Sequence, residues 1–142
     1  MVALKAAKDF DGLVEALRVG DPTRKAHAAA ALQNLAGNAD NKVAIVRAGA
    51  IEPLVQLLRS GDAAGKTNAA GALRNLAANN DDNRVAAARA GAIEPLVQLL
   101  RSGDAAGKAA AAGALRNLTF CEEGRREVEQ HGYTRDQLAA LK

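Results

Sequence analysis

Three Asn-Leu pairs recur along this 142-residue chain, at Asn34-Leu35, Asn75-Leu76 and Asn117-Leu118, spaced by 41 and then 42 positions. A carboxamide carries both an N–H donor and a carbonyl acceptor. It can therefore pair with the C=O and N–H of a peptide unit, as a neighbouring strand would, without reading side chains. The residues just before these asparagines are Gln33, Arg74 and Arg116. Guanidinium forks match carboxylates, so the chemistry on offer is the holding of an extended, acidic segment. The same asparagines could instead bond to the backbone of a neighbouring unit, and the arginines could be solvated or paired with nearby carboxylates.

Other reactive residue types are sparse. His27 and His131 lie far apart, neither with a partner at helical metal-ligand spacing, and both read as surface histidines. Asp81-Asp82 and Glu122-Glu123 read as carboxylates capping helix N-termini, where negative charge is favoured. Cys121 is the only cysteine, which excludes an internal disulfide and a cysteine metal site. It reads as a small packed group, and a lone thiol fits a cytoplasmic setting. Arg125-Arg126 is too small a basic spot for nucleic acid, and the net charge of +3 adds no support. There is no phosphate loop, nucleophile elbow or metalloprotease motif. No catalytic residue, metal or cofactor is predicted. The start of the chain lacks an apolar run of signal-peptide length, and no apolar run approaches the ~18 residues of a membrane span.

These residues must be positioned by repeated elements. The stretch Arg47–Leu76 returns as Arg89–Leu118 with only Thr67/Ala109 and Asn68/Ala110 different. Recent duplication or deliberate engineering would each produce such identity. Periods near 42 residues built from helical patterns indicate a solenoid. The alanine-rich, aromatic-poor composition suits closely packed helices, not a sandwich or barrel. Three units are read at about 1–39, 40–80 and 81–122, with a partial fourth at 123–142, as one domain. Each unit parses into three helices. In the third unit, a short helix over Asn83 to Ala90 ends at Gly91, in the left-handed C-cap role. A second starts at Ile93-Glu94-Pro95 and presents Leu96, Val97, Leu99 and Leu100 to the core. Asp104 caps a third running to about Thr119, with Asp62 and Asp21 equivalent. In the first unit, Lys8, Asp9 and Gly12 replace the Gly-Ala turn and the proline, so its first two helices are expected to fuse.

The third helices, side by side, are expected to form the binding face. By the 3.6-residue period, positions −7, −4, 0 and +4 from each asparagine share a stripe. They read His27, Ala30, Asn34, Asn38; then Asn68, Gly71, Asn75, Asn79; then Ala110, Gly113, Asn117, Cys121. The leucines at −2 and +1 point to the core. Gly71 and Gly113 each cost roughly 1 kcal/mol against alanine in a helix, which calls for close packing or a close ligand backbone. Helices 8–10 Å apart and an extended chain rising ~3.3 Å per residue put one asparagine per two to three ligand residues.

The segments Gly49–Leu58 and Gly91–Leu100 (Gly-Ala-Ile-x-Pro-Leu-Val-x-Leu-Leu) and Ala72–Ala77 and Ala114–Thr119 (Ala-Leu-x-Asn-Leu) resemble the armadillo repeat. The likeness covers nearly the whole chain and implies an all-α, right-handed armadillo-repeat superhelical solenoid. It also implies that Asn34, Asn75 and Asn117 hold an extended ligand by its backbone. Nuclear-import adaptors of the family carry a tryptophan four residues before the asparagine. Here Ala30, Gly71 and Gly113 stand there, so the groove is more like that of catenin-type or plant members.

The expected function is a non-catalytic module that binds an extended, acidic peptide of another protein through Asn34, Asn75, Asn117, Gln33, Arg74, Arg116, Asn38, Asn79, His27 and Asn68. Six hydrogen bonds at about 0.5–1.5 kcal/mol each, less an association cost of roughly 4 kcal/mol or more, predict micromolar or weaker affinity. The alternative is a structural scaffold, or an engineered repeat protein, that forms a homodimer through its ends around Val2/Leu4 and Leu138/Leu141. No nucleic acid or membrane partner is expected.

Overall fold

The structure, a computed structural model, describes residues 10–141. Ten helices are described: α1 (Phe10–Val19), α2 (Pro22–Leu35), α3 (Ala39–Arg47), α4 (Ile51–Ser60), α5 (Ala63–Ala77), α6 (Asp81–Arg89), α7 (Ile93–Ser102), α8 (Ala105–Leu118), α9 (Glu122–Gln130) and α10 (Arg135–Ala140). Lys8 and Asp9, two of the positions at which the first two helices are expected to fuse, lie outside the described residues, as do Val2 and Leu4. Gly12 sits within α1 without interrupting it.

The elements begin where side chains can cap them. Asp21, Asp62 and Asp104 accept from the backbone N–H groups of Arg24, Gly65 and Gly107, as the pattern predicts. Gly49, Gly91 and Gly132 take φ of 89°, 86° and 93°, the left-handed turn that lets the following segment double back. In α4 and α7 the sequence Ile-x-Pro-Leu-Val-x-Leu-Leu buries every apolar member. α2 packs along α5, and α5 along α8, the most extensive interfaces among the described helices. Alanine makes that possible: Ala29, Ala69, Ala70, Ala72, Ala111 and Ala114 are fully buried and let helices approach closely. Leu32, Leu73, Leu76, Leu115 and Leu118 are buried, as expected from the stripe, and Leu35 is half-buried.

Three details differ from the sequence expectation. The short helix of the third unit starts at Asp81, not Asn83, and its cap is Asn80, so Asp81 and Asp82 occupy the first turn instead of capping it. Cys121 is not a packed apolar group but the N-cap of α9, its Sγ accepting from Gly124 N–H at 3.3 Å. The third helices end at Leu35, Ala77 and Leu118, so Asn38, Asn79 and Cys121 lie beyond the helical stripe. Asn38 instead caps α3 by accepting from Asn41 N–H at 3.1 Å. Asn79 takes a left-handed φ of 57°. The cap follows the asparagine of the Asn-Leu pair by four residues at Asn38 and Cys121 but by five at Asn80. Asn79 absorbs that extra residue, which accounts for the uneven 41- and 42-residue spacing.

Long polar side chains tie successive units. Asn41 and Asn83 donate to Leu35 O and Leu76 O at 2.9 Å, satisfying carbonyls at the ends of α2 and α5. In the next unit Gly124 replaces that asparagine, because a Cβ there would stand 2.0 Å from Leu118 O. Buried Lys42 donates to Ala78 O at 2.6 Å. Arg59 and Arg101 reach forward to Gly91 O and His131 O, both at 3.2 Å. At the C-terminal end, Thr134 forms a capping box with Gln137 where Ile-Glu-Pro would stand. Leu138 is buried at 2% exposure, whereas Leu141 is exposed. Of the two leucines expected for end-to-end pairing at this end, Leu138 is thus already covered within the chain.

Candidate functional site

The ladder is built from α2, α5 and α8. Asn75 Nδ2 donates to Gln33 O at 2.8 Å, and Asn117 Nδ2 donates to Arg74 O at 2.8 Å. Asn68 adds a second rung, donating from Nδ2 to Ala26 O at 3.0 Å. Each carboxamide is therefore oriented by the preceding unit, the inter-unit role left open in the sequence. One N–H of the carboxamide is used in this bond. The second N–H and the oxygen stay directed elsewhere, and Asn75 Oδ1 accepts a long bond of 3.5 Å from Arg74 Nε. Asn34 is exposed and its side chain makes no hydrogen bond to a described residue; His27, also exposed, is the first unit's counterpart of Asn68. Ala110, at the equivalent place in the third unit, is buried and forms no rung.

The glycines four residues before Asn75 and Asn117 are explained by side chains of the preceding unit. A Cβ on Gly71 would meet the Gln33 carboxamide at 2.6–2.7 Å, and one on Gly113 would meet Arg74 Cδ at 2.7 Å. Gln33 and Arg74 thus lie flat across the next third helix and are half-buried there. Arg116, with no described third helix after it, is exposed. Neither Arg74 nor Arg116 forms an ion pair with a described carboxylate; the described pairs are Arg84–Asp81, Arg89–Glu123, Arg125–Glu129 and Arg126–Glu122. The guanidinium of Arg89 has its pKa raised, first by the hydrogen bond to Glu123 and then by that carboxylate's charge.

Of the residues singled out in the sequence, the structure brings Gln33, Arg74, Asn75 and Asn117 into one bonded array, with Asn68 bonded separately to Ala26 O. Asn38 and Asn79 serve turns instead. Sequence reasoning missed Phe120, an exposed ring with Arg135 at 4.1 Å and Arg84 at 5.4 Å from its centroid. It replaces Ala78 of the previous unit, and this break in the repeat was the available signal. Clefts of about 330 and 440 Å³ recur beside the second helices, lined by Arg18, Lys25 and Glu52 and by Arg59, Lys66 and Glu94. No group of His, Cys, Asp and Glu able to hold a metal occurs among the described residues. No described helix is long and apolar enough to cross a membrane.

The model of the Armadillo/beta-catenin-like repeat matches residues 38–78 and 80–120. Solved structures are similar over most of the chain. One engineered protein shares 37% identity with a TM-score of 0.82, covering 87% of this chain and 51% of its own. Computationally designed armadillo repeat proteins for modular peptide recognition share 30% identity, with a TM-score of 0.80 over 87% of this chain and 52% of theirs. A designed armadillo repeat protein in complex with the peptide (KR)4 shares 27% identity at a TM-score of 0.80, again over 87% and 52%. This chain therefore spans about half the length of these structures. No curated protein matches it in sequence. With two matched repeats covering more than half of its length and a solenoid of three-helix units, the chain belongs to the armadillo repeat family.

Proposed function

We propose that this protein is a non-catalytic module that holds an extended peptide along the face of α2, α5 and α8, with a preference for acidic segments. The observation that carries the reading is the ladder: Asn75 and Asn117 are each oriented by an Nδ2 bond to the previous unit, which leaves each a second N–H. Among the described residues, the oxygen is unbonded at Asn117 and takes only a long 3.5 Å bond from Arg74 at Asn75. A carboxamide held in place loses less side-chain freedom on binding, so its hydrogen bonds contribute more. The peptide recognition ascribed to designed relatives supports the same use of the face. The acidic preference rests on Arg74 and Arg116, which form no ion pair with a described carboxylate. A basic ligand such as the (KR)4 peptide of one relative would meet these guanidiniums with like charge. The single free thiol supports a reducing, cytoplasmic setting for the module.

The test is titration of a labelled glutamate-rich peptide and its lysine counterpart by fluorescence anisotropy, against wild type and Asn34→Ala. Asn34 has no rung to lose among the described residues, so its removal reports on the ligand without weakening the fold through that bond. The acidic peptide is expected to bind at micromolar or weaker Kd, to bind more tightly than the lysine peptide, and to lose about two- to tenfold in Asn34→Ala, the loss of one or two hydrogen bonds. Absence of binding at high micromolar protein would overturn the proposal. A dimer mass by light scattering in the same samples would then favour a self-associating scaffold.

A further inference from the structure

Each part of the groove is assembled from two units. The backbone carbonyl and side chain of one residue come from the earlier unit, and the glycine and asparagine come from the later one. Between α2 and α5 these are Gln33, Gly71 and Asn75, with Asn68 as a second carboxamide. Between α5 and α8 they are Arg74, Gly113 and Asn117, with buried Ala110 in place of the second carboxamide. The two subsites share one backbone geometry and differ in charge. At the first, the Gln33 carboxamide lies directly on Gly71. At the second, the Arg74 stem lies on Gly113, with Cδ 2.7 Å and Nε 3.9 Å from the place a Cβ would take. Arg74 Nε also faces Asn75 Oδ1 at 3.5 Å. Two contacts thus hold the Arg74 side chain, its stem on Gly113 and a long Nε–H bond to Asn75 Oδ1.

From this we infer that the groove reads charge by position: an uncharged hydrogen-bonding side chain is taken at the Gln33–Gly71 subsite, and a carboxylate at the Arg74–Gly113 subsite. Third helices about 8–10 Å apart and a rise of ~3.3 Å per residue set the two ligand positions two to three residues apart. Gly113 is the specificity-determining residue of the second subsite, although it carries no side chain. Any Cβ there displaces the arginine that reads the carboxylate. Arg116 has no described glycine to lie on and is exposed, so it supplies general attraction to acids without fixing a position. This inference rests on the groove reading proposed above and adds to it the order of the ligand's side chains.

The experiment uses a set of short synthetic peptides, each with a single glutamate walked through a Gln/Ser/Ala background, titrated against the full chain. Wild type is expected to favour one glutamate position over its glutamine isostere by roughly fivefold, the worth of a partly exposed charged hydrogen bond. Gly113→Ala and Arg74→Gln should each reduce that ratio to about one, while thermal melts check that both fold. The Arg74 Nε–H resonance, followed by NMR in the free protein, should shift and broaden in Gly113→Ala. If wild type binds none of the peptides, this inference falls together with the groove reading. If it binds acidic peptides but all glutamate positions are equivalent, or Gly113→Ala keeps the ratio, only the positional inference is overturned.

Discussion

Asn75 and Asn117 tie successive units together, and in the proposed reading the same side chains also meet the ligand. The Nδ2 bond to the preceding unit stabilises the stack, and the remaining donor and acceptor are what a peptide could use. Asn75→Ala is therefore expected to lower stability by about 1 kcal/mol, read as a shift of the urea midpoint at constant m-value. Asn34→Ala should leave that midpoint within about 0.5 kcal/mol of wild type, since surface changes away from such features are usually that small. An equal loss in both would show that the rungs contribute nothing to the fold. Cys121 offers a second test at this scale. It caps α9 through a sulfur, a weak acceptor, where Asn38 and Asn80 cap the equivalent helices through a carbonyl oxygen. Cys121→Asn is expected to stabilise by about 0.5–1 kcal/mol by the same measurement.

At the scale of elements, the junction between each third helix and the next short helix decides how tightly units follow one another. Asn41 and Asn83 close that junction with side-chain bonds, and Gly124 closes the next one by bringing its backbone against Leu118. Gly124→Ala would place a Cβ 2.0 Å from Leu118 O and 2.8 Å from its carbonyl carbon. Since backbone cannot yield as a side chain tip can, a destabilisation of about 1–3 kcal/mol is expected, seen as a lowered melting temperature. Gly37→Ala is the control, because its Cβ would lie at an ordinary 3.5 Å from Asn34 O. That change should be neutral or stabilise by about 0.4–1 kcal/mol through the unfolded chain. If both glycines respond alike, the junction is looser than its geometry implies.

Taken whole, the molecule is a row of units in which each contacts mainly its neighbours, so stability should be distributed along the row. α5 is packed on both sides by equivalent helices, whereas α10 is a six-residue helix contacting α8 at one end of the row. Native-state hydrogen exchange is expected to be slowest in α5 and fastest in α10, with α9 intermediate. Uniform protection across α5, α8 and α10 would mean that the chain opens as one cooperative unit. The two central interfaces are also unequal: Asn68 gives the first an extra rung that Ala110 denies the second.

Local chemistry, written directly in the chain, determined the units, their helices and the identity of the ladder. Asp21, Asp62 and Asp104 as caps, the left-handed Gly49, Gly91 and Gly132, and the buried faces of α4 and α7 all depend on neighbours within a few residues. Periodicity alone sufficed to align Asn34, Asn75 and Asn117 on equivalent helices. What the Asn75 and Asn117 carboxamides bond to could not be read this way, because the partners Gln33 O and Arg74 O lie 42 and 43 residues earlier and meet them only once helices stack. The same holds for Gly71 and Gly113, whose missing Cβ atoms make room for side chains of the preceding unit. A helical stripe also presumes that the helix continues. Asn38, Asn79 and Cys121 left it because the chain turns after Leu35, Ala77 and Leu118. That turn is held by the Asn38, Asn80 and Cys121 caps and by Asn41 and Asn83 on Leu35 O and Leu76 O, bonds to the following short helix that a helical period does not record.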